Sequence, residues 1–105
     1  MYCKTPKELF EKIETVYQEL QSELRLNHET ILYSRKLHED LVQKDLFKYE
    51  SPYLIASISI YAVTCMEGQP KPLRDISLVS HIKETALREC YNRVYDEIEE
   101  SLKNL

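Results

Sequence analysis

The segment from Ser51 to Gly68 constrains the fold of this chain more than any other part of the sequence. It opens with Ser-Pro, in which the serine hydroxyl can cap a helix and the proline ring fits the first helical position. From Tyr53 to Met66 every residue is uncharged, and apolar or small residues fall on all sides of the predicted helix. A helix that is apolar all round has to be buried. The segment ends at the only glycine of the chain, which suits the left-handed position that follows a helix.

A membrane does not provide that burial. A spanning helix needs about 20 predominantly apolar residues, whereas the uncharged run from Ser51 to Met66 has 16 residues and includes Ser51, Ser57, Ser59 and Thr64. Lys4, Lys7 and Glu8 interrupt the amino-terminal region, which therefore lacks the apolar stretch of a signal peptide. We expect a soluble protein of a reducing intracellular compartment, with this helix at its centre.

Length and composition predict one all-α domain covering residues 1–105. A chain of 105 residues can form one compact unit with its own core. One glycine and four prolines are too few for the many turns of an all-β fold.

Four more helices are predicted around the central one, from caps, proline positions and apolar residues at intervals of three and four. A tight turn at His81 and Ile82 joins a short fourth helix to the fifth. Two helices joined in this way form a candidate helix-turn-helix, whose second helix can enter the DNA major groove. The predicted bounds are Thr5 to about Leu24–Leu26, Asn27 to about Phe47, Ser51–Met66, Pro72 to about His81, and about Lys83 to the end of the chain.

The cysteines and histidines indicate neither a metal site nor an active site. Three cysteines without a C-x-x-C pair fit reduced thiols, and we expect Cys65 and Cys90 to be buried as small apolar residues. The three histidines are too dispersed for metal ligands, and no phosphate loop or nucleophile motif is present. The sequence therefore predicts a protein that is not an enzyme and that needs no cofactor or metal.

Charge is distributed unevenly along this chain of net charge -4. Between Gln69 and Tyr95 the basic residues outnumber the acidic ones, whereas the last ten residues are strongly acidic. A few cations partly cancelled by anions give weak, salt-sensitive DNA binding, so a protein partner would have to contribute. The basic residues of this region are Lys71, Arg74, Lys83, Arg88 and Arg93.

Three short patterns resemble a known family, the cyclin-like core repeat of transcription initiation factor IIB and its archaeal counterpart, factor B. The ending is most similar to the second, carboxy-terminal repeat, in which the arginine of V-T-I-R belongs to the helix that reads DNA. The patterns are Ser51-Pro52-x-x-x-Ala56-x-x-x-Ile60-Tyr61, Lys71-x-x-x-Asp75-Ile76 and Thr85-Ala86-Leu87-Arg88-x-x-Tyr91.

The resemblance implies an all-α, five-helix cyclin-like fold with a buried third helix and a helix-turn-helix formed by helices four and five. It implies binding to promoter DNA beside the TATA box together with TATA-binding protein, within the RNA polymerase machinery, and no membrane or small-molecule substrate. The compartment would be the nucleus in a eukaryote, or the cytoplasm in an archaeon or an archaeal host of a virus. Arg88 would read guanine and Thr85 a neighbouring base, and the further DNA-binding candidates are Lys83, Arg74, Lys71 and Arg93.

This chain departs from the family pattern in places that leave alternatives open. His81 stands where the family has its turn glycine, Pro72 replaces a threonine, and the net charge is acidic rather than basic. The chain could be the carboxy-terminal domain of a divergent factor IIB or a natural single-repeat relative. It could also be a cyclin-type adaptor that binds a protein and makes no direct DNA contact.

Overall fold

The computed structural model describes the backbone of residues 6–44 and 51–104 and the side chains of residues 13–44 and 51–104. Every regular element in these ranges is a helix, as predicted, and none is long and apolar enough to cross a membrane. The helices are α1 (Pro6–Leu24), α2 (His28–Gln43), α3 (Pro52–Met66), α4 (Leu73–Ser80), α5 (Glu84–Arg93) and α6 (Tyr95–Lys103).

Helix α3 lies at the centre, as its sequence predicts, and packs against α1, α2, α4 and α5. The Ser51 hydroxyl accepts a hydrogen bond from the Tyr53 N–H at 3.1 Å, which confirms the predicted cap. Ser57 and Ser59 are fully buried, but each hydroxyl donates to the carbonyl four residues earlier, so their burial leaves no donor unsatisfied. The buried residues of α3 are Ile55, Ala56, Ser57, Ile58, Ser59, Ile60, Ala62, Val63 and Thr64.

Left-handed residues end both α1 and α3. Gly68 has φ 78° after α3, and the Gln69 N–H donates back to the Thr64 carbonyl at 3.0 Å. Arg25 takes the same role after α1 with φ 54°, a position that the sequence did not reveal because no glycine marks it. The two C-terminal motifs turn the chain sharply and let short connections return it to the bundle.

The end of α1 and the start of α2 agree with the predicted bounds. Helix α1 ends at Leu24, and the Asn27 side chain caps α2 by accepting from the Thr30 N–H at 2.8 Å. The predicted Thr5 cap lies outside the described residues. Helix α2 ends at Gln43 with Lys44 as its C-cap, before the predicted end near Phe47, a residue outside the described ranges. Pro72, predicted as the first residue of the fourth helix, is the N-cap instead, one position earlier than α4.

The predicted fifth helix is wrong as a single element, because it is divided into α5 and α6. The break is at Val94, whose φ of -109° and ψ of 16° lie outside the helical range. On one side of the break α5 packs against α3 and α4, whereas on the other α6 packs against α2. Leu87 before the break and Ile98 after it are both fully buried.

The two predicted buried cysteines have different environments. Cys90 is 4% exposed in α5, as predicted. Cys65 is exposed, and the expectation of burial is wrong for it. It lies in the last turn of α3, where the helix leaves the core and Met66 and Glu67 are also exposed.

Candidate nucleic-acid interface

Helices α4 and α5 meet at a turn that is held by hydrogen bonds from serine side chains. His81 ends α4 in the left-handed conformation, with φ 64°, and its N–H donates to the Ser77 carbonyl at 3.0 Å. The Ser77 hydroxyl donates to the Ile82 carbonyl, and the Ser80 hydroxyl accepts from the Ile82 N–H. The histidine that replaces the family's glycine therefore keeps the positive φ that the turn requires, at a cost in backbone strain.

The exposed face of α5 begins immediately after this turn. Lys83 is exposed at the N-cap position, and Leu87 is fully buried and anchors the helix to the core. Thr85 and Arg88 are both exposed. At 3.6 residues per turn these two side chains are about 60° apart around the helix, so they share one face. The structure thus brings together the two residues that the sequence analysis placed at base edges.

Arg88 forms an ion pair within α5. Its Nη2 donates to the Glu84 Oε2 at 2.8 Å, and the two side chains are 55% and 38% exposed. An exposed pair four residues apart on a helix contributes only about 0.3–0.5 kcal/mol, so the pair adds little to the stability of α5. Glu84 was not among the residues predicted from the sequence, although its spacing of four residues from Arg88 was the available signal.

The other predicted DNA-binding residues are more widely spread. Arg74 is exposed on α4, but Lys71 is half-buried in the segment before it, where its N–H donates to the Thr64 Oγ1 at 3.1 Å. Lys71 and Arg25 line two clefts, one bordered by α2 and α3 and the other by α1 and α4, and no residue of α5 contributes to either. Arg93, in the last turn of α5, is about 140° from Arg88 around the helix and donates to the Cys90 Sγ.

Three tyrosines form an aromatic ladder beside this face. Tyr61 of α3 meets Tyr91 of α5 edge-on with ring centroids 4.9 Å apart, and Tyr91 meets Tyr95 of α6 at 5.6 Å. Burial raises the pKa of the Tyr61 phenol, and the positive charge of Arg88 acts in the opposite direction. Tyr91 and Tyr95 also line a cleft of about 360 Å³, in which Met66 is half-exposed.

Among the side chains that the structure describes, no group of three or more histidine, cysteine or acidic residues is arranged to hold a metal ion. The α4–α5 face presents guanidinium, ammonium, hydroxyl and carboxylate groups, which offer hydrogen bonds and charge.

Comparison with known proteins agrees with this chemistry. The sequence model of the family described as the transcription factor TFIIB repeat matches residues 7–97. The chain is 24% identical over 94 residues to transcription initiation factor IIB 1 of Thermococcus kodakarensis, covering 90% of this chain and 31% of that protein. It is 30% identical over 94 residues to transcription initiation factor IIB-2 of Arabidopsis thaliana, covering 80% of this chain and 30% of that protein.

A third relative, transcription initiation factor IIB of rice (Oryza sativa subsp. japonica), is 32% identical over 96 residues, which cover 80% of this chain and 30% of that protein. The chain thus spans about a third of the length of the curated relatives it matches. No solved structure matches it. These relatives are transcription factors and not enzymes, in agreement with the prediction from the sequence. With its family match extending over most of its residues, the chain belongs to the transcription factor TFIIB repeat family.

Proposed function

We propose that this chain is a transcription initiation factor core domain, a single cyclin-like unit over residues 1–105. It binds promoter DNA next to the TATA box together with TATA-binding protein, and through them it joins the RNA polymerase machinery. Helices α4 and α5 act as a helix-turn-helix, and α5 enters the major groove with its amino-terminal turns.

The observation that carries this proposal is the exposure of Thr85 and Arg88 on one face of α5, directly after the α4–α5 turn. An arginine can donate two parallel hydrogen bonds to O6 and N7 of guanine, and a threonine one turn earlier can contact a base edge or a thymine methyl group. Leu87 and Cys90 hold the opposite side of α5 in the core. The helix is thereby supported from behind while its exposed face meets DNA.

The charge of the chain explains why a partner is part of the proposal. Lys83 and Arg74 are exposed and can hold phosphates, but Glu84 and Glu89 lie on the same helix as Arg88. Few phosphate contacts give weak binding that falls steeply with salt. TATA-binding protein, seated on the same DNA, supplies the missing affinity, and α5 then contributes sequence preference.

A gel-shift assay with TATA-binding protein on a TATA promoter tests the proposal. Wild type should supershift the complex, and Arg88→Ala should weaken that supershift by about 1–3 kcal/mol, the value of one good bidentate base contact. The matched control is Lys36→Ala, which removes one exposed cation from α2 and should bind as wild type does. A missing supershift at low salt, or equal shifts for wild type and Arg88→Ala, contradicts the proposal.

The cleft beside the aromatic ladder favours a second candidate, a cyclin-type adaptor that holds a protein partner and does not touch DNA. Met66 is 48% exposed and Tyr95 44% exposed there, and apolar side chains that are exposed beside one another can contribute to a protein-binding surface. An adaptor would join the complex with TATA-binding protein equally well on promoters of different flanking sequence. Replacing Arg88 would not change how much of the adaptor stays in the complex with TATA-binding protein.

A further inference from the structure

We propose that Glu84 is a specificity-determining residue of the α5 face, one that directs Arg88 toward base edges and away from phosphates. The inference rests on the proposed function, because it assigns a role within the same DNA-binding helix. Glu84 occupies the first position of α5, and its carboxylate accepts one hydrogen bond from the Arg88 guanidinium at 2.8 Å.

The geometry of the pair leaves Arg88 able to read a base. A guanidinium carries five N–H donors, and Glu84 engages Nη2 alone among them. The donors that remain are enough for the two bonds to O6 and N7 of guanine. A carboxylate that holds one edge of the guanidinium also limits the directions in which the other edge can point.

The charge of Glu84 acts in the same direction. Phosphate oxygens only accept hydrogen bonds, so a carboxylate beside Arg88 repels them and cancels part of the attraction of the arginine. A major-groove base edge is different, because the N4 amine of cytosine donates and can satisfy the carboxylate. Together Glu84 and Arg88 therefore carry almost no net charge. Contact of this pair with a G·C base pair should stabilise the complex more than its contact with the DNA phosphates does.

This reasoning predicts an unusual combination of effects for Glu84→Gln. Removing the negative charge should strengthen binding to DNA of unrelated sequence and steepen its salt dependence, because Arg88 is then free to contact phosphate. The preference for the correct flanking sequence should fall roughly tenfold, the equivalent of one base contact. Glu84→Asp keeps the charge but shortens its reach, so the preference should fall while binding to unrelated DNA stays at the wild-type level.

The matched control is Glu89→Gln. Glu89 is exposed on the same helix, and its loss changes the net charge equally, but it lies about 140° around α5 from Glu84. If net charge alone determined the sequence preference, Glu84→Gln and Glu89→Gln would change that preference equally. The inference requires that Glu89→Gln keep the wild-type sequence preference.

The experiment measures binding of the full chain to complexes of TATA-binding protein with labelled duplexes. One set carries the flanking sequence that wild type selects from a randomised pool, and the other carries an altered flank. Equal preference in wild type and Glu84→Gln, with a lowered preference in Arg88→Ala, overturns the role of Glu84 and leaves the proposed function standing. If Arg88→Ala also retains full preference and affinity, the proposed function fails and this inference fails with it.

Discussion

Replacing His38 with glutamine tests whether this buried side chain makes the stability of the protein depend on pH. His38 lies on α2 against Tyr17 of α1, and its burial favours the neutral form. Its side chain is 3% exposed, and its Nδ1 lies 2.8 Å from the Tyr17 Oη, which is itself fully buried. The same Tyr17 hydroxyl lies 3.3 Å from the Ser34 carbonyl. Burial lowers the pKa of His38 from 6.5 to about 4.

The sign of the pH effect follows from that shift. Between about pH 6.5 and pH 4 the unfolded chain holds a proton on His38 that the folded chain excludes, so acid favours unfolding. Stability is therefore complete above the unfolded pKa and is lost as the pH falls toward the folded one. The full shift corresponds to about 3 kcal/mol, of which about 2 kcal/mol is lost between pH 7 and pH 5. That is a large part of the 5–15 kcal/mol typical of a domain.

Urea unfolding at several pH values measures this loss. The range from pH 7 to pH 5 is the useful one, because most carboxylates stay ionised there. In His38→Gln the free energy of unfolding should be nearly independent of pH over that range, whatever its absolute value. The control His28→Gln, at the exposed start of α2, should keep the wild-type slope. An unchanged slope in His38→Gln would refute the assignment of the pH dependence to this buried histidine.

Two substitutions test the packing and the turns. Ala56 is fully buried at the centre of α3, so Ala56→Leu should overpack the core and cost about 1–3 kcal/mol in a thermal melt, whereas Ala86→Leu on exposed α5 should change little. An unchanged melting temperature for Ala56→Leu would mean that α3 is not central. Gly68 has φ 78° and open space where a Cβ would lie, so Gly68→Ala should cost about 1 kcal/mol from backbone strain alone. In a urea titration Gly68→Asn should lose less of the free energy of unfolding than Gly68→Ala does. Equal losses for the two variants would contradict the explanation by backbone strain.

The parts of the fold that local chemistry decides were predictable from the sequence. Ser51 and Asn27 cap the helices they precede, and Gly68 ends α3, because each effect depends on neighbours within a few residues. The break at Val94 was not predictable, since the intervals of three and four continue across it without proline or glycine. Packing of α6 against α2 decides that break, and contacts so distant in sequence leave no local pattern.

The same distinction applies to the candidate site. Exposure of Thr85 and Arg88 follows from the apolar pattern of α5, which commits the opposite face to the core. The separation of Lys71 from that face depends on how the loop before α4 meets the Thr64 hydroxyl, a tertiary contact. Cys65 was wrongly expected to be buried because composition does not show where α3 leaves the core.

The break at Val94 also bears on how an acidic chain can present a helix to DNA. The carboxylates of the last ten residues follow the break, on α6, which packs against α2, whereas α5 packs against α3 and α4. Because exposed charges are screened beyond about 10 Å at ordinary salt, their placement matters more for α5 than their total number. The net charge of -4 therefore does not contradict the proposed binding of DNA by α5, because the acidic residues of α6 follow Val94.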